Sequence, residues 1–122
     1  MSVLLDLSIF PVDQGSSLSP FIAPVVEMIA ASGHDYQLTA MGTLIETDSL
    51  AQALALIESA HAILAEHGCE RVYATAKLDI RAHANQRLSG KVASVNQRLR
   101  QGTEQQTRRA VTGQSTKGTT SQ

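Results

Sequence analysis

The chain has 122 residues, of which 43% are hydrophobic and only 3% aromatic, with no Trp. That is room for one domain whose core is built from Leu, Ile, Val, Ala and Met. A net charge of −1 supplies no bulk attraction to nucleic acid or to an anionic membrane.

The one cysteine, Cys69, cannot close an internal disulfide and fits a reducing compartment. Met1 to Phe10 has no basic stretch, and Asp6 interrupts its apolar run, which argues against a signal peptide. No apolar run approaches the ~18 residues of a membrane span. A cytoplasmic protein is expected.

Val3, Leu5, Leu7 and Ile9 alternate with Leu4, Asp6, Ser8 and Phe10, which predicts a strand over 3–11 ending at Pro11. A polar loop, Asp13 to Ser17, follows. Ser19 before Pro20 reads as a capping hydroxyl and a first-turn proline. The helix they open carries Phe21, Val25, Met28 and Ile29 on one stripe and stops at Ser32-Gly33. Tyr36 to Ala40 and Gly42 to Thr47 read as two strands with little between them. Thr47 or Asp48 is expected to cap a second helix. Its apolar stripe is Leu50, Ala53, Leu54, Ile57, His61 and Leu64, and His67-Gly68 ends it.

From Arg71 to Arg81 the alternation is the clearest in the chain: Val72, Ala74, Ala76, Leu78 and Ile80 against Tyr73, Thr75, Lys77 and Asp79. A strand of that length spans on the order of 35 Å, where about five or six residues is usual. Its far end is expected to project beyond its own sheet and meet another subunit. A last helix is predicted from the stripe Leu88, Val92, Val95 and Leu99. The folded domain is therefore 1–101, and 102–122 reads as a disordered polar tail.

The order is the ferredoxin-like βαββαβ pattern with an extra C-terminal helix, an α+β fold with a four-stranded antiparallel sheet. Two helices cover one face. The other presents Leu4, Asp6, Ser8 and Phe10 beside Tyr73, Thr75, Lys77 and Asp79. Such a semi-polar face is expected to pair with another sheet and to trap a polar ligand between the two. Asp6, inside an apolar strand, is expected to form an ion pair near Lys77 or Thr75. Tyr36 and Tyr73 read as half-buried strand aromatics, and Arg81 as a surface or subunit-contact charge. His61 reads as a core histidine.

The residues alone leave two readings of Met41-Gly42-Thr43 and Glu46. Gly42 relieves a hairpin turn and Glu46 is a solvated edge charge, or the glycine makes room for a ligand that polar neighbours orient. Lys77 divides in the same way between a surface ion pair and a pocket.

Tyr36-Gln37-Leu38-Thr39-Ala40-Met41-Gly42-Thr43-Leu44-Ile45-Glu46 resembles the Tyr-x-Leu-x-x-Met-Gly-Thr-x-Ile-Glu signature of the small, YkoF-related thiamine-binding protein family. Ser8 to Pro11, Arg71-Val72 with Lys77 to Arg81, and Gly90 to Val95 resemble its first strand, last strand and final helix. The family commonly has proline where this chain has Ala40. The resemblance implies non-catalytic binding of thiamine or its hydroxymethylpyrimidine moiety near subunit contacts, in a homodimer or homotetramer. It implies no cofactor beyond that ligand. Glu46 would accept from the exocyclic amine, and Thr43 and Ser8 would serve ring-edge atoms. Met41 would supply a polarisable wall and Gly42 the close approach, with Lys77 at the pocket or a subunit contact.

Two other classes compete. A small dimeric ferredoxin-like enzyme would use Glu46 or His61 as acid or base, but no paired constellation supports it, and no catalytic residue is assigned. An RNA-binding module of this strand order would need an aromatic on the third strand, which is absent. His61 and His67 are off a common helical face, so no metal site is assigned. Cys69 has no activating base.

Overall fold

The computed structural model describes residues 1–88. The predicted final helix beyond Leu88 and the 102–122 tail lie outside the described residues. Six elements follow one another: β1 (Ser2–Pro11), α1 (Ser19–Ala31), β2 (Asp35–Thr39), β3 (Gly42–Thr47), α2 (Leu50–Glu66) and β4 (Val72–Arg81). The sheet order is β2-β3-β1-β4 with every neighbour antiparallel, the ferredoxin-like arrangement.

The period-two pattern of β1 puts Val3, Leu5, Leu7 and Ile9 under the helices, where they meet Val25, Ile29, Ile45, Ala53, Leu56 and Leu64. Leu5, Ile29, Ile45 and Leu64 are fully buried, each contributing roughly 1.5–3 kcal/mol by leaving water.

Local signals account for most boundaries. Ser19 is the first residue of α1 rather than its cap. Leu18 holds the capping position without a side-chain bond, and Pro20 falls in the first turn. Gly33, at φ +82°, lets the chain leave the helix. The cap of α2 is Ser49, not Thr47 or Asp48: its Oγ accepts from the Gln52 N–H at 3.2 Å, while Gln52 Oε1 accepts from the Asp48 N–H at 2.9 Å. The polar loop after β1 is tied down by Asp13, whose carboxylate accepts from the Glu70 and Arg71 N–H groups at 2.9 and 3.0 Å.

Three expectations are corrected. The buried stripe of α2 is Ala53, Leu56, Ala60 and Leu64; Leu54 and His61 face outward, so His61 is not a core histidine. The alanines win because they let the helix approach the sheet closely. Asp6 is exposed and forms no ion pair among the described residues, although it does stand opposite Lys77. Finally, β4 does not overrun the sheet at its far end. It is matched rung for rung by β1, from Ser2↔Arg81 to Pro11↔Val72.

What overruns is the other end. Pairing of β1 with β3 stops at Leu7↔Thr43, so Ser8–Pro11 and the start of β4 continue as a two-stranded ribbon. On its open face Phe10 and Tyr73 stack with centroids 5.8 Å apart. The helices do not shield β4, whose Leu78 and Ile80 stay 39% and 48% exposed.

Candidate functional site

The site grows from the end of β3. A two-residue hairpin loop prefers residues of positive φ, which keep the two strands twisting together. Ala40 and Met41 do not supply it. Instead the Thr39 hydroxyl bridges the turn, donating to the Gly42 carbonyl at 2.8 Å and accepting from the Met41 N–H at 3.2 Å. The hairpin tip therefore leaves β1, and Met41 stands 86% exposed.

Gly42 lies where β3 last touches β1. A Cβ there would sit 2.9 Å from the Leu7 carbonyl oxygen and 3.4 Å from Asp6 Oδ1, at a φ of +156°. Only glycine fits, and what approaches it is the neighbouring strand.

Between the diverging hairpin, the overrunning end of β1 and the inner face of α1 lies a cavity of about 330 Å³. Its walls are apolar, from Ile9, Ile22, Val25 and Leu38, and none of the residues that line it carries a charge. The side-chain polar groups are hydroxyls. That of Thr39 is engaged in the turn and that of Thr43 makes no hydrogen bond among the described residues, while the Ser8 side chain belongs to the opposite face of β1, with Asp6 and Phe10. Such a pocket, at the small end of the ~300–1,000 Å³ range of ligand sites, suits a flat, neutral ring with a few polar edge atoms.

Four of the six site residues expected from the sequence meet here: Ser8, Met41, Gly42 and Thr43. Glu46 and Lys77 do not. Thr43 and Glu46 are three residues apart on one strand, so they point to opposite faces. Thr43 lies on the helix side with Ile45, and Glu46 on the open side with Ser2 and Asp79. The cavity is thus on the helix-covered side of the sheet, not on the open face where the sequence placed it. Lys77 lies across from Asp6 on that open face.

Glu46 has its own partners. Oε2 accepts from Ser2 Oγ and from the Arg87 N–H at 2.9 Å, and Oε1 accepts from the Leu88 N–H at 2.9 Å. Arg87 closes the group. Its Nε donates to Ser2 Oγ at 3.0 Å, its Nη2 to the Ser2 and Asp79 carbonyls at 2.7 and 2.5 Å, and its Nη1 lies 2.7 Å from Asp79 Oδ2. Gln86, at φ +50°, makes the left-handed bend that delivers Arg87 to the sheet. Burial raises the Glu46 pKa. The hydrogen bonds from Ser2, Leu88 and Arg87, with the Arg87 charge, outweigh that and hold it below its ordinary value. This carboxylate is a structural anchor for the chain after β4.

Sequence reasoning missed Arg87, because nothing local marks an arginine that bonds to residues some 40 and 85 positions away. It also missed the apolar walls from α1, where Val25 was read only as core and Ile22 lay off the expected stripe. No group of three or more His, Cys, Asp or Glu side chains converges to hold a metal among the described residues. Nor is any helix among them long and apolar enough to cross a membrane.

Fold and cavity together define a ferredoxin-like α+β domain with a small apolar pocket at the end of its sheet. Residues 5–96 match the thiamine-binding protein family, and the chain belongs to that family. It is 33% identical over 98 residues to a UPF0045 protein of Methanothermobacter thermautotrophicus, covering 80% of this chain and 99% of that one. It is 31% identical over 99 residues to a UPF0045 protein of Mycobacterium tuberculosis, covering 81% and 96%. Among solved structures, a hypothetical protein of Methanocaldococcus jannascii superimposes with a TM-score of 0.67 at 25% identity, over 78% of this chain and 96% of that one. A Thermotoga maritima protein, whose name refers to thiamine biosynthesis or salvage, shares the fold with a TM-score of 0.66 at 18% identity, over 78% and 99%.

Proposed function

We propose that this protein binds thiamine or its hydroxymethylpyrimidine moiety without catalysis, in the cytoplasm, as a homodimer or homotetramer, using the cavity at the end of the sheet. The observation that carries this reading is the meeting of Ser8, Met41, Gly42 and Thr43 in one pocket of a chain that belongs to the thiamine-binding family. An aminopyrimidine is flat and neutral, which matches apolar walls and the free hydroxyl of Thr43. The thiazolium of thiamine is a cation, and burying it with no carboxylate in the lining would be costly. It belongs at the open mouth, beside Met41.

The competing reading, a small dimeric enzyme, needs an acid or base at the pocket. The lining includes none, and the former candidates stand elsewhere, Glu46 on the open face and His61 on the outer surface of α2. A second copy has a surface to meet in β4, an edge strand with exposed Leu78 and Ile80.

Calorimetric titration with thiamine and with hydroxymethylpyrimidine tests the reading. Wild type binds the pyrimidine at least as well as thiamine. Thr43→Val, which keeps the shape and removes the hydroxyl, weakens both by about tenfold. If wild type binds neither compound, the assignment fails.

A further inference from the structure

Resting on the binding reading above, we infer that the ligand's amino edge is read by the backbone of Ile9, whose N–H and C=O form a vacant rung at the end of the sheet. In an antiparallel strand the N–H and C=O of one residue point to the same side, and successive residues to opposite sides. Two contacts fix which side is which in β1. The Val12 N–H donates to the Arg71 carbonyl at 3.0 Å, so Val12, and with it Phe10 and Ser8, address β4. The Leu7 carbonyl lies against Gly42, so Leu7 and Ile9 address β3.

The rungs on that side run Val3↔Thr47, Leu5↔Ile45 and Leu7↔Thr43. The next would be Ile9 opposite Met41. At that point the chain has already turned into the β2–β3 hairpin, and Met41 has swung outward. Among the described residues nothing else bonds to the Ile9 backbone on that side. Two residues further, Pro11 has no N–H to offer. Ile9 is therefore the last complete donor–acceptor pair on this edge, it is nearly buried, and it lines the cavity.

A backbone pair that faces a cavity without a protein partner is free for a ligand to complete. A 4-aminopyrimidine carries the complementary edge, with ring N3 as acceptor and the exocyclic amine as donor. Seated at the rung, N3 accepts from the Ile9 N–H and the amine donates to the Ile9 carbonyl, as the missing strand would have done. One ring face then meets Ile22 and Val25, and a substituent reaches Thr43. This supplies the recognition that the sequence assigned to Glu46.

The test combines amide NMR and calorimetry, with 4-amino-5-hydroxymethyl-2-methylpyrimidine as probe and the same molecule without its 4-amino group as control. On saturation with the probe, hydrogen exchange at the Ile9 amide slows by about tenfold or more. The control binds at least about tenfold more weakly, because the Ile9 carbonyl is left unpaired. If the probe binds while Ile9 exchange is unchanged, or if the control binds equally well, the rung assignment falls and the binding function stands. If the probe does not bind at all, both fall. If the Ile9 amide is already protected without ligand, and more so at higher protein concentration, a strand from a second chain fills the rung and the inference is overturned.

Discussion

Glu46→Gln separates an anchoring carboxylate from a ligand-binding one. The native carboxylate accepts three hydrogen bonds: Ser2 Oγ and the Arg87 N–H on Oε2, and the Leu88 N–H on Oε1. Glutamine has one accepting oxygen. Whichever way its amide lies, an NH₂ faces at least one backbone N–H in a buried setting. One unsatisfied buried group costs about 1–3 kcal/mol. The Arg87 guanidinium also loses a second, more distant counter-charge and keeps Asp79, which is half exposed. Together these predict a destabilisation of about 2–4 kcal/mol. In urea denaturation at fixed protein concentration the midpoint should fall by roughly 1–3 M for a small domain's slope. Affinity of the folded variant for hydroxymethylpyrimidine should be unchanged, since the cavity is on the other side of the sheet. A variant as stable as wild type within about 0.5 kcal/mol, or one that keeps its stability and loses the ligand, would refute the assignment.

The same carboxylate sets a pH dependence. Its folded pKa lies below the ordinary 4.5, so its contribution is present above that value and lost as pH falls through the folded pKa. Between about pH 5 and pH 3, wild type should therefore lose more stability than Glu46→Gln, measured by urea titration at each pH. Gly42→Ala pushes a methyl to 2.9 Å from the Leu7 carbonyl and strains a φ of +156°; it should cost about 1–3 kcal/mol in thermal or urea unfolding, and a neutral result would contradict the close approach. Ser49→Ala removes the α2 cap and should cost about 1 kcal/mol, while Asp48→Ala, one residue earlier, should cost distinctly less.

The alternating residues of β1 and β4 and the glycine stops of both helices made the fold readable, because each pattern is local. Its failures have physical reasons as well. In α2 the stripe read from the sequence held Ala53 and Leu64 but passed over Leu56 and Ala60, the latter buried because a small side chain permits close packing, and Leu54 was left outside. Thr43 and Glu46 were placed in one pocket for their chemistry, although a separation of three on a strand divides them between faces. The Met41-Gly42-Thr43 turn singled out in the sequence does line the cavity. Its glycine makes room for β1, and the cavity beside it arises only because the hairpin leaves the strand. The bonds from Arg87 to Ser2 and Glu46 depend on long-range contacts that no local pattern encodes.

The central place of β1 shapes how the chain is born. The strand is translated before either of its partners, for Val3 meets Thr47 on one side and Ile80 on the other. At about 5–20 residues per second, synthesis alone keeps that second partner away for roughly 4–15 s. Through that interval Val3, Leu5, Leu7 and Ile9 travel with one flank unmated. Closing the sheet on that flank therefore waits for β4 to leave the ribosome, and the folding clock is set by the arrival of that strand.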